Sequence, residues 1–503
     1  MAIERIVIVG GGTAGWMAAA ALSRMRTGHR ELEIVLVESE QIGTVGVGEA
    51  TIPPFVDFNR LLEIDEAEML AAVQGTFKLG IQFENWGRIG QSYLHPFGGY
   101  GYEIDGVSFH HVWHRLKQAG DPRPIQVFNL ETMAAHFGKF LRTPDYESDD
   151  LPPINYAYHI DATRYARFLR SYAEARGVVR REGKVADVTL DGESGHVASL
   201  TMDDGEIMLG DFFVDCSGFR GLLIEQALKT GYEDWSHYLP CDRAVALPCE
   251  REDGSPPAPY TRATAHSAGW QWRVPLQHRN GNGHVYCSAF MSDDEAHGIL
   301  VGNLAGKPGA EPNFLRFVTG RRKKFWNGNV VALGLAAGFM EPLESTSIHL
   351  VNTGITKLIA ILSLDGVTQA HEDAFNRLTA KEYLRIRDFL VLHYSATARD
   401  DSPFWNHVRT MDVPDTLKEK IALFRNNGQI FREDDELFIE TSWVSVMMGQ
   451  GIQPNGHNVM ADALPLDQLR GEIDGIERSI RYLVEHMPSH ADYLSNYCKA
   501  EAG

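Results

Sequence analysis

The residues with the clearest chemical meaning lie within the first forty positions. Gly10, Gly12 and Gly15 have the GxGxxG spacing of a loop that binds a pyrophosphate. In such a loop the first glycine allows the tight turn, the second the close approach of the backbone, and the third the packing of helix on strand. Glu38 follows 23 residues after Gly15, where a carboxylate can accept hydrogen bonds from ribose hydroxyls. The pattern predicts a dinucleotide-binding site.

The elements around these glycines have the order that this site requires. The apolar runs at 6–9 and 34–37 predict two buried strands, and residues 16–22 predict a helix between them. Strand, helix and strand in this order predict a parallel βαβ unit. Thr13 and Ala14 then begin the helix whose free N–H groups would hold the anion.

Glycine turns elsewhere in the chain favour FAD over NAD. They lie at 45–53, at 215–220 and at 334–338, and the last two follow predicted strands at 211–215 and 330–333. Turns so far apart that return to one ligand suit a long flavin cofactor, although each alone could be an ordinary strand-end turn. No second GxGxxG is present for a nicotinamide cofactor. We therefore expect reduced flavin to come from a separate NAD(P)H-dependent flavin reductase.

Composition excludes several other classes of protein. The 503 residues are 44% hydrophobic, enough for a large core, and the formal net charge of −20 argues against nucleic acid as a partner. The five cysteines include no CxxC pair, which argues against a disulfide framework and a zinc site of the usual spacing. No run approaches the length of a membrane span. These features predict a cytoplasmic protein with no membrane partner.

Four stretches, at 10–16, 48–53, 269–275 and 341–346, resemble the flavin-dependent tryptophan halogenases. The third is similar to the WxWxIP motif of that family, with Val274 in place of isoleucine. Order and spacing agree from residue 5 to about residue 360, and the C-terminal part matches less well. The alternatives are an FAD-dependent aromatic hydroxylase of the same broad fold and a flavin-binding protein without catalysis.

The resemblance implies the reaction and the cofactor. FAD as FADH2, oxygen and chloride or bromide would give hypohalous acid, and this would halogenate an indole-like aromatic substrate. Besides the glycine loop and Glu38, the cofactor contacts implied are Gly48, Glu49, Ala50, Val185, Leu335 and Leu350.

The family's essential lysine matches Lys78, which precedes Asn85-Trp86. Residues 77–84 alternate between apolar and other positions, which puts Lys78 opposite the apolar face and by itself favours a solvated lysine. The resemblance instead implies that its amine holds hypohalous acid by a hydrogen bond or forms a haloamine. A lysine desolvated in an apolar pocket would have a lowered pKa and more neutral amine.

The matching glutamate is Glu344, which would orient the electrophile or act as general base. A carboxylate favoured at a helix N-terminus is the alternative. Thr346 and Ser347 follow in a predicted helix start whose N–H groups could bind halide. The family usually has glycine at the position of Ser347, and serine resists backbone angles that glycine permits.

The substrate-binding residues that the resemblance implies are aromatic. His95 and Phe97 match the loop that stacks the substrate, with a core pair as the alternative, and Trp270 and Trp272 match the pair that keeps substrate from the flavin. Trp443, with Val444 after it, stands where tryptophan-specific members have two tyrosines. Because the hydroxyls of these two tyrosines are absent, the predicted substrate is indole, a substituted indole, or an indole within a larger molecule, instead of free tryptophan.

A histidine-rich segment, His110-His111-Val112-Trp113-His114, could suggest a metal site. Adjacent histidines are expected to point in different directions, and no carboxylate or cysteine lies at a known ligand spacing. We therefore predict no metal site.

The fold expected is α/β, with an FAD-binding domain of the monooxygenase type and an interleaved, mostly helical substrate-binding layer. The first domain would span 1–350, with inserted substrate-facing segments at about 80–160 and 235–300. Residues 351–503 would form the mostly helical C-terminal part. Within it an amphipathic helix is predicted from the three- and four-residue spacing of Leu469, Ile473, Ile476, Ile480, Leu483 and Met487.

Overall fold

The computed structural model describes residues 2–28, 31–41, 48–142, 153–252, 254–433 and 436–500. Among these, no helix is both long and apolar enough to cross a membrane. Residues 45–47 of the second glycine segment lie outside the described ranges.

A six-stranded sheet carries the glycine loop. Its strands lie in the order Trp326–Asn327, Val330–Ala332, Phe212–Asp215, Arg5–Val9, Glu33–Glu38 and Val179–Glu182. Arg5–Val9 pairs in parallel with Phe212–Asp215 on one side and Glu33–Glu38 on the other. Ile6, Val7 and Ile8 are fully buried, as expected for a parallel sheet covered on both faces. The predicted βαβ unit is confirmed.

A seven-stranded, largely antiparallel sheet forms the second layer. Its strands lie in the order Asn313–Arg316, Arg243–Ala246, Asn280–Tyr286, Gly269–Pro275, Thr261–His266, Gly80–Glu84 and Ser92–Pro96. The sequence did not predict this sheet, because its glycine- and histidine-rich strands resemble loops. The inserted segments at 80–160 and 235–300 supply most of it.

Three small sheets complete the strands described. They contain Gly48–Ala50, Ala157–Asp161 and Thr76–Lys78; Ile207–Leu209, Val197–Met202 and Val185–Leu190; and Tyr232–Asp234, Gly320–Arg322 and Gly338–Phe339. The strand Thr76–Lys78 is followed at once by Gly80–Glu84 of the large sheet. Leu79 is thus the point where the chain passes from one sheet to the other.

Helices dominate after residue 346. The α-helices described are Thr13–Ser23, Pro54–Leu61, Glu66–Ala72, Phe109–Gln118, Leu130–His136, Ala162–Glu174, Asp293–Gly302, Thr346–Ile361, Gln369–Ser395, Pro403–Thr410, Asp415–Asn427, Glu440–Gly449, Leu466–His486 and His490–Tyr497. The predicted amphipathic helix is confirmed as Leu466–His486, which buries Leu469, Ile473, Ile476 and Ile480. The helix Thr346–Ile361 crosses the predicted domain boundary at residue 350. The division of the chain into two domains stays a prediction.

Candidate active site

The glycine loop packs tightly on one side and is open on the other. Gly10 has a φ of +115°, and a Cβ there would lie 2.3 Å from the carbonyl oxygen of Cys216. A Cβ on Gly15 would lie 1.8 Å from the carbonyl oxygen of Gly10. A Cβ on Gly12, in contrast, would meet no described atom within 4 Å. The open face at Gly12 gives the space that a pyrophosphate needs.

The helix behind this loop, Thr13–Ser23, begins without a side-chain cap. Gly12 is its N-cap residue and offers no side-chain acceptor, so the first N–H groups are available to an anion. Ala14 lies in the first turn, and its Cβ is 2.8 Å from where a Cβ on Gly334 would lie. The helix start therefore contacts the turn that carries Leu335.

Leu335 lies in the short 3-10 helix Gly334–Ala336, directly after a strand of the parallel sheet. A Cβ on Gly334 would also lie 3.5 Å from Val351, the neighbour of Leu350 in the helix Thr346–Ile361. Leu335 and Leu350, two of the implied cofactor contacts, thus lie near the glycine loop although they are distant from it in the sequence. This arrangement fits an extended FAD.

Glu38 ends its strand beside the glycine loop. A Cβ on Gly11 would lie 1.6 Å from Oε2 of Glu38, and this oxygen is 3.4 Å from the indole N–H of Trp16. Its other oxygen accepts a hydrogen bond from Arg180. The carboxylate is therefore held at the end of its strand, next to the glycine loop. The N–H of Gly183 donates to the carbonyl oxygen of Glu38 at 2.9 Å, so Val185, two residues farther on, begins its strand near this end of the sheet.

The strand Gly48–Ala50 pairs antiparallel with Ala157–Asp161. A Cβ on Gly48 would lie 3.3 Å from the Cα of Gly281, so a side chain there would push these two backbones slightly apart. Burial raises the pKa of Glu49 to about 7. The Glu49 side chain can therefore be either neutral or ionised at neutral pH.

Lys78 is fully buried at the end of the strand Thr76–Lys78. Its Nζ donates to the carbonyl oxygen of Thr51 at 3.0 Å and to Oγ of Ser345 at 2.9 Å. The same atom lies 5.1 Å from the centre of the Phe97 ring. The solvated lysine favoured by strand alternation is wrong, because Phe77 and Leu79 are fully buried too and this strand is covered on both faces.

The burial of Lys78 changes its acid–base chemistry. Desolvation lowers its pKa from 10.5 to about 7, and the negative charge of Glu344 opposes this shift only in part. About half of the amine is therefore neutral near pH 7. A neutral amine can act as a nucleophile or accept a proton, which the ammonium form cannot do.

Glu344 lies in the 3-10 helix Pro342–Glu344 and is 1% exposed. Nδ1 of His95 is 2.9 Å from one carboxylate oxygen, and Nε2 of His393 is 2.8 Å from the other. Burial alone would raise the pKa of Glu344, but the two imidazoles outweigh it and lower the pKa to about 2. The carboxylate is thus ionised at any ordinary assay pH.

Both ring nitrogens of His393 face acceptors. Nδ1 lies 2.8 Å from the carbonyl oxygen of Phe389, and Nε2 faces Glu344. Nε2 makes no hydrogen bond of ordinary geometry among the described residues, so its effect on Glu344 comes from its proximity inside the buried site. The sequence reasoning missed His393. In the sequence His393 could have been noticed as the single histidine within the apolar run 389–394.

The segment after Glu344 turns sharply into a helix. Ser345 has a φ of +59° and precedes Thr346–Ile361 without capping it through its side chain. Thr346 is fully buried, and among the described residues its hydroxyl has no hydrogen-bond partner. Ser347 lies within the helix at ordinary angles, so the expected conflict between serine and the family's glycine is wrong. The left-handed residue is Ser345.

Aromatic rings surround the lysine and the glutamate. Phe389 lies 5.7 Å from His95 and 4.8 Å from Trp443, between ring centres. Phe438 stacks on Phe389 at 3.8 Å and lies 6.2 Å from His95. His95 and Phe97 are therefore close to the reactive groups, and Phe389 lies between His95 and Trp443. Phe389 and Phe438 were not found by sequence reasoning, because each is one aromatic residue among many.

Trp270 and Trp272 lie on the strand Gly269–Pro275, with ring centres 6.1 Å apart. The indole N–H of Trp270 donates to Glu341 at 2.7 Å, and the hydroxyl of Tyr394 donates to the same oxygen at 2.5 Å. Burial raises the pKa of Glu341 to about 7. Trp270 thus anchors the segment that carries Glu344.

The histidine-rich segment differs from expectation. The rings of His110 and His111 lie 4.0 Å apart, and Glu440 reaches both from a distant helix. The expectation that adjacent histidines diverge is wrong. No carboxylate lies at a ligand spacing in the sequence, and Glu440 reaches the histidines by tertiary contact.

Comparison with known proteins identifies the family. The family model described as tryptophan halogenase matches residues 5–466. Tryptophan 6-halogenase SttH from Streptomyces toxytricini is 34% identical, over 98% of this chain and 98% of that protein. The flavin-dependent halogenase Xcc4156 from Xanthomonas campestris superposes with a TM-score of 0.96 at 46% identity, over 100% of both chains. BrvH, a flavin-dependent halogenase from Brevundimonas sp. BAL3, gives a TM-score of 0.93 at 44% identity, over 98% and 99% of the two chains.

These matches confirm the α/β fold, the FAD cofactor and the halogenase activity class over the hydroxylase alternative. They also fit the open glycine loop and the uncapped helix, which together suit the phosphates of FAD. The chain belongs to the tryptophan halogenase family of flavin-dependent halogenases.

Proposed function

We propose that this halogenase acts on an indole-like aromatic molecule and that Lys78 directs the halogen to it. The observation that carries the proposal is the buried amine of Lys78, which has a pKa near 7 and lies beside the Phe97 ring. Bound FADH2, with oxygen and halide, supplies hypohalous acid. The neutral amine can hold this acid by a hydrogen bond or exchange a proton for halogen, which gives a haloamine and water.

The loss of the tyrosine pair supports indole instead of free tryptophan as the substrate. Trp443 and Val444 are both 1% exposed, and neither carries a hydroxyl to hold an amino acid's charged end. SttH is named for tryptophan, and we infer that this chain departs from the tryptophan-specific pattern at Trp443 and Val444. His95 and Phe97 would hold the flat ring.

Glu344 has an orienting role in this proposal. A carboxylate with a pKa of about 2 is a weak proton acceptor, which favours orientation over general base catalysis. Its contact with His95 would fix that ring against the substrate, and its negative charge would stabilise the positive charge that develops during electrophilic attack.

Halide would bind at the start of the helix Thr346–Ile361. The unpartnered hydroxyl of Thr346 and the first N–H groups, including that of Ser347, are donors next to the left-handed turn at Ser345. Ser345 also accepts from Lys78, so halide and lysine would be linked through one residue.

The reductant and the compartment complete the proposal. Reduced flavin would come from a separate NAD(P)H-dependent reductase, because no second dinucleotide motif is present in the sequence. The five cysteines are unpaired, which fits a reducing cytoplasm.

Mass spectrometry of products tests the substrate class. The enzyme would be supplied with FAD, NADH, a generic flavin reductase and either bromide or chloride. Indole, free tryptophan and a tryptophan-containing peptide would be offered separately. We expect a monohalogenated indole and little halogenated tryptophan. Efficient halogenation of free tryptophan would contradict the substrate assignment but leave the halogenase activity intact.

A further inference from the structure

A cluster of nitrogen and oxygen ligands lies outside the residues used above. His110 and His111 belong to the helix Phe109–Gln118, and Glu440 begins the helix Glu440–Gly449. One ring nitrogen of each histidine and one carboxylate oxygen of Glu440 all lie within 4.8 Å of one another. We propose that this triad binds a single divalent transition-metal ion of the Zn²⁺ class.

The hydrogen bonds of His110 leave a lone pair facing the carboxylate. Its Nε2 lies 2.9 Å from the carbonyl oxygen of Gly428, which can only accept, so Nε2 carries the proton. Nδ1 is then an acceptor, and it lies 3.9 Å from Oε2 of Glu440. Two electron-pair donors that face each other are stabilised by a cation between them. A carbonyl that holds the second ring nitrogen is also the usual way in which a metal-binding histidine is oriented.

The second histidine of the triad is held only weakly by its neighbours. Nδ1 of His111 accepts only a long hydrogen bond, 3.3 Å from the N–H of Asn458, and a metal ion would compete with that contact. The Glu440 side chain is 35% exposed and gives the ion a path from solvent.

Two further imidazoles lie next to the triad. His114 and His457 have ring centres 6.2 Å apart, and each has a buried Nδ1 without a hydrogen-bond partner among the described residues. Tetrahedral zinc places its ligand atoms about 3.4 Å apart, so the triad would have to contract by at most about 0.7 Å per side chain. The neighbouring imidazoles offer a fourth ligand nearby.

Metal binding would tie two parts of the substrate-binding layer together. Glu440 lies one helical turn before Trp443 in the same helix. An ion held by Glu440 and His110 would therefore fix the helix behind the aromatic wall to the helix Phe109–Gln118. We expect Zn²⁺ to raise the melting temperature of the protein, because a ligand that binds the folded state stabilises it.

Isothermal titration of the full chain with ZnCl2, after removal of metal by a chelator, tests the proposal. We expect one ion per chain, and at least about tenfold weaker binding by Glu440→Gln and by His110→Gln. Glu440 is partly exposed, so Glu440→Gln keeps the test decisive if the buried His110 variant fails to fold. His486→Gln, at the exposed end of the helix Leu466–His486, is the matched control and should bind as the wild type does.

Two results would overturn the site. One is the absence of heat above the dilution control at millimolar Zn²⁺. The other is equal affinity in the wild type, Glu440→Gln and His486→Gln, which would place any bound ion elsewhere. A Co²⁺ spectrum, with visible bands that change in Glu440→Gln, gives a second readout. Neither measurement uses flavin or halide, so both are independent of the proposed halogenation.

Discussion

The pKa of Lys78 predicts how the stability of the fold depends on pH. Burial lowers this pKa from 10.5 to about 7 in the folded chain. Between these two values the unfolded lysine holds a proton that the folded lysine has released. The free energy of unfolding therefore rises with pH across this interval, since the unfolded state binds more protons.

The size of the effect follows from the shift. Relative to a lysine of ordinary pKa, Lys78 destabilises the fold by about 4 kcal/mol at about pH 7 and by about 1 kcal/mol at about pH 9.5. Lys78→Met removes this penalty. It also removes the two hydrogen bonds to Thr51 and Ser345, which lowers the stability of the variant at both pH values. The stability of the variant relative to wild type should thus fall by about 3 kcal/mol between about pH 7 and about pH 9.5.

Equilibrium unfolding in urea at the two pH values measures this difference. Lys323→Met, at an exposed lysine, is the control and should show a much smaller change with pH. If the difference between Lys78→Met and wild type does not change with pH, the lysine keeps its ordinary pKa. The amine at the site would then be fully protonated near pH 7, which would contradict its proposed role.

Substitutions at Glu344, His393 and Ser347 test three other parts of the site. Glu344→Gln should lower the turnover of indole about 100-fold, because it removes the charge that His95 and His393 hold in place; an unchanged rate would exclude an orienting role. His393→Gln should raise the pKa of Glu344 from about 2, so activity should be lost at a higher pH on the acid side of the profile; an unmoved acid limb would count against this effect of His393 on Glu344. Ser347→Gly should destabilise the protein by about 0.5 kcal/mol in denaturant titration, since Ser347 lies in regular helix; a gain in stability would indicate a strained backbone there.

The parts of the fold that could be predicted from the sequence are those that depend on a local pattern of residues. Gly10 and Gly15 require close backbone approaches, and the strands around them are continuous apolar runs, so the βαβ unit followed from spacing alone. The helix Leu466–His486 followed from its apolar periodicity in the same way. The roles of Lys78 and Glu344 came from family resemblance, because a lysine in an alternating strand otherwise indicates solvent.

Long-range packing determines what the sequence did not predict. The seven-stranded sheet joins strands as far apart as Gly80–Glu84 and Thr261–His266. His393 reaches Glu344 only because the helix Gln369–Ser395 lies across the site, and Glu440 reaches His110 from a distant helix. No spacing rule brings such pairs together.

The central claim is that Lys78 transfers halogen from hypohalous acid to the substrate. Its most direct test compares wild type and Lys78→Met for the share of consumed FADH2 recovered as halogenated indole, with a scavenger added to capture free hypohalous acid. We predict that the variant still consumes FADH2 and yields halogenated scavenger, while halogenated indole falls by about 100-fold or more. An unchanged yield of halogenated indole in Lys78→Met would contradict the role of the lysine.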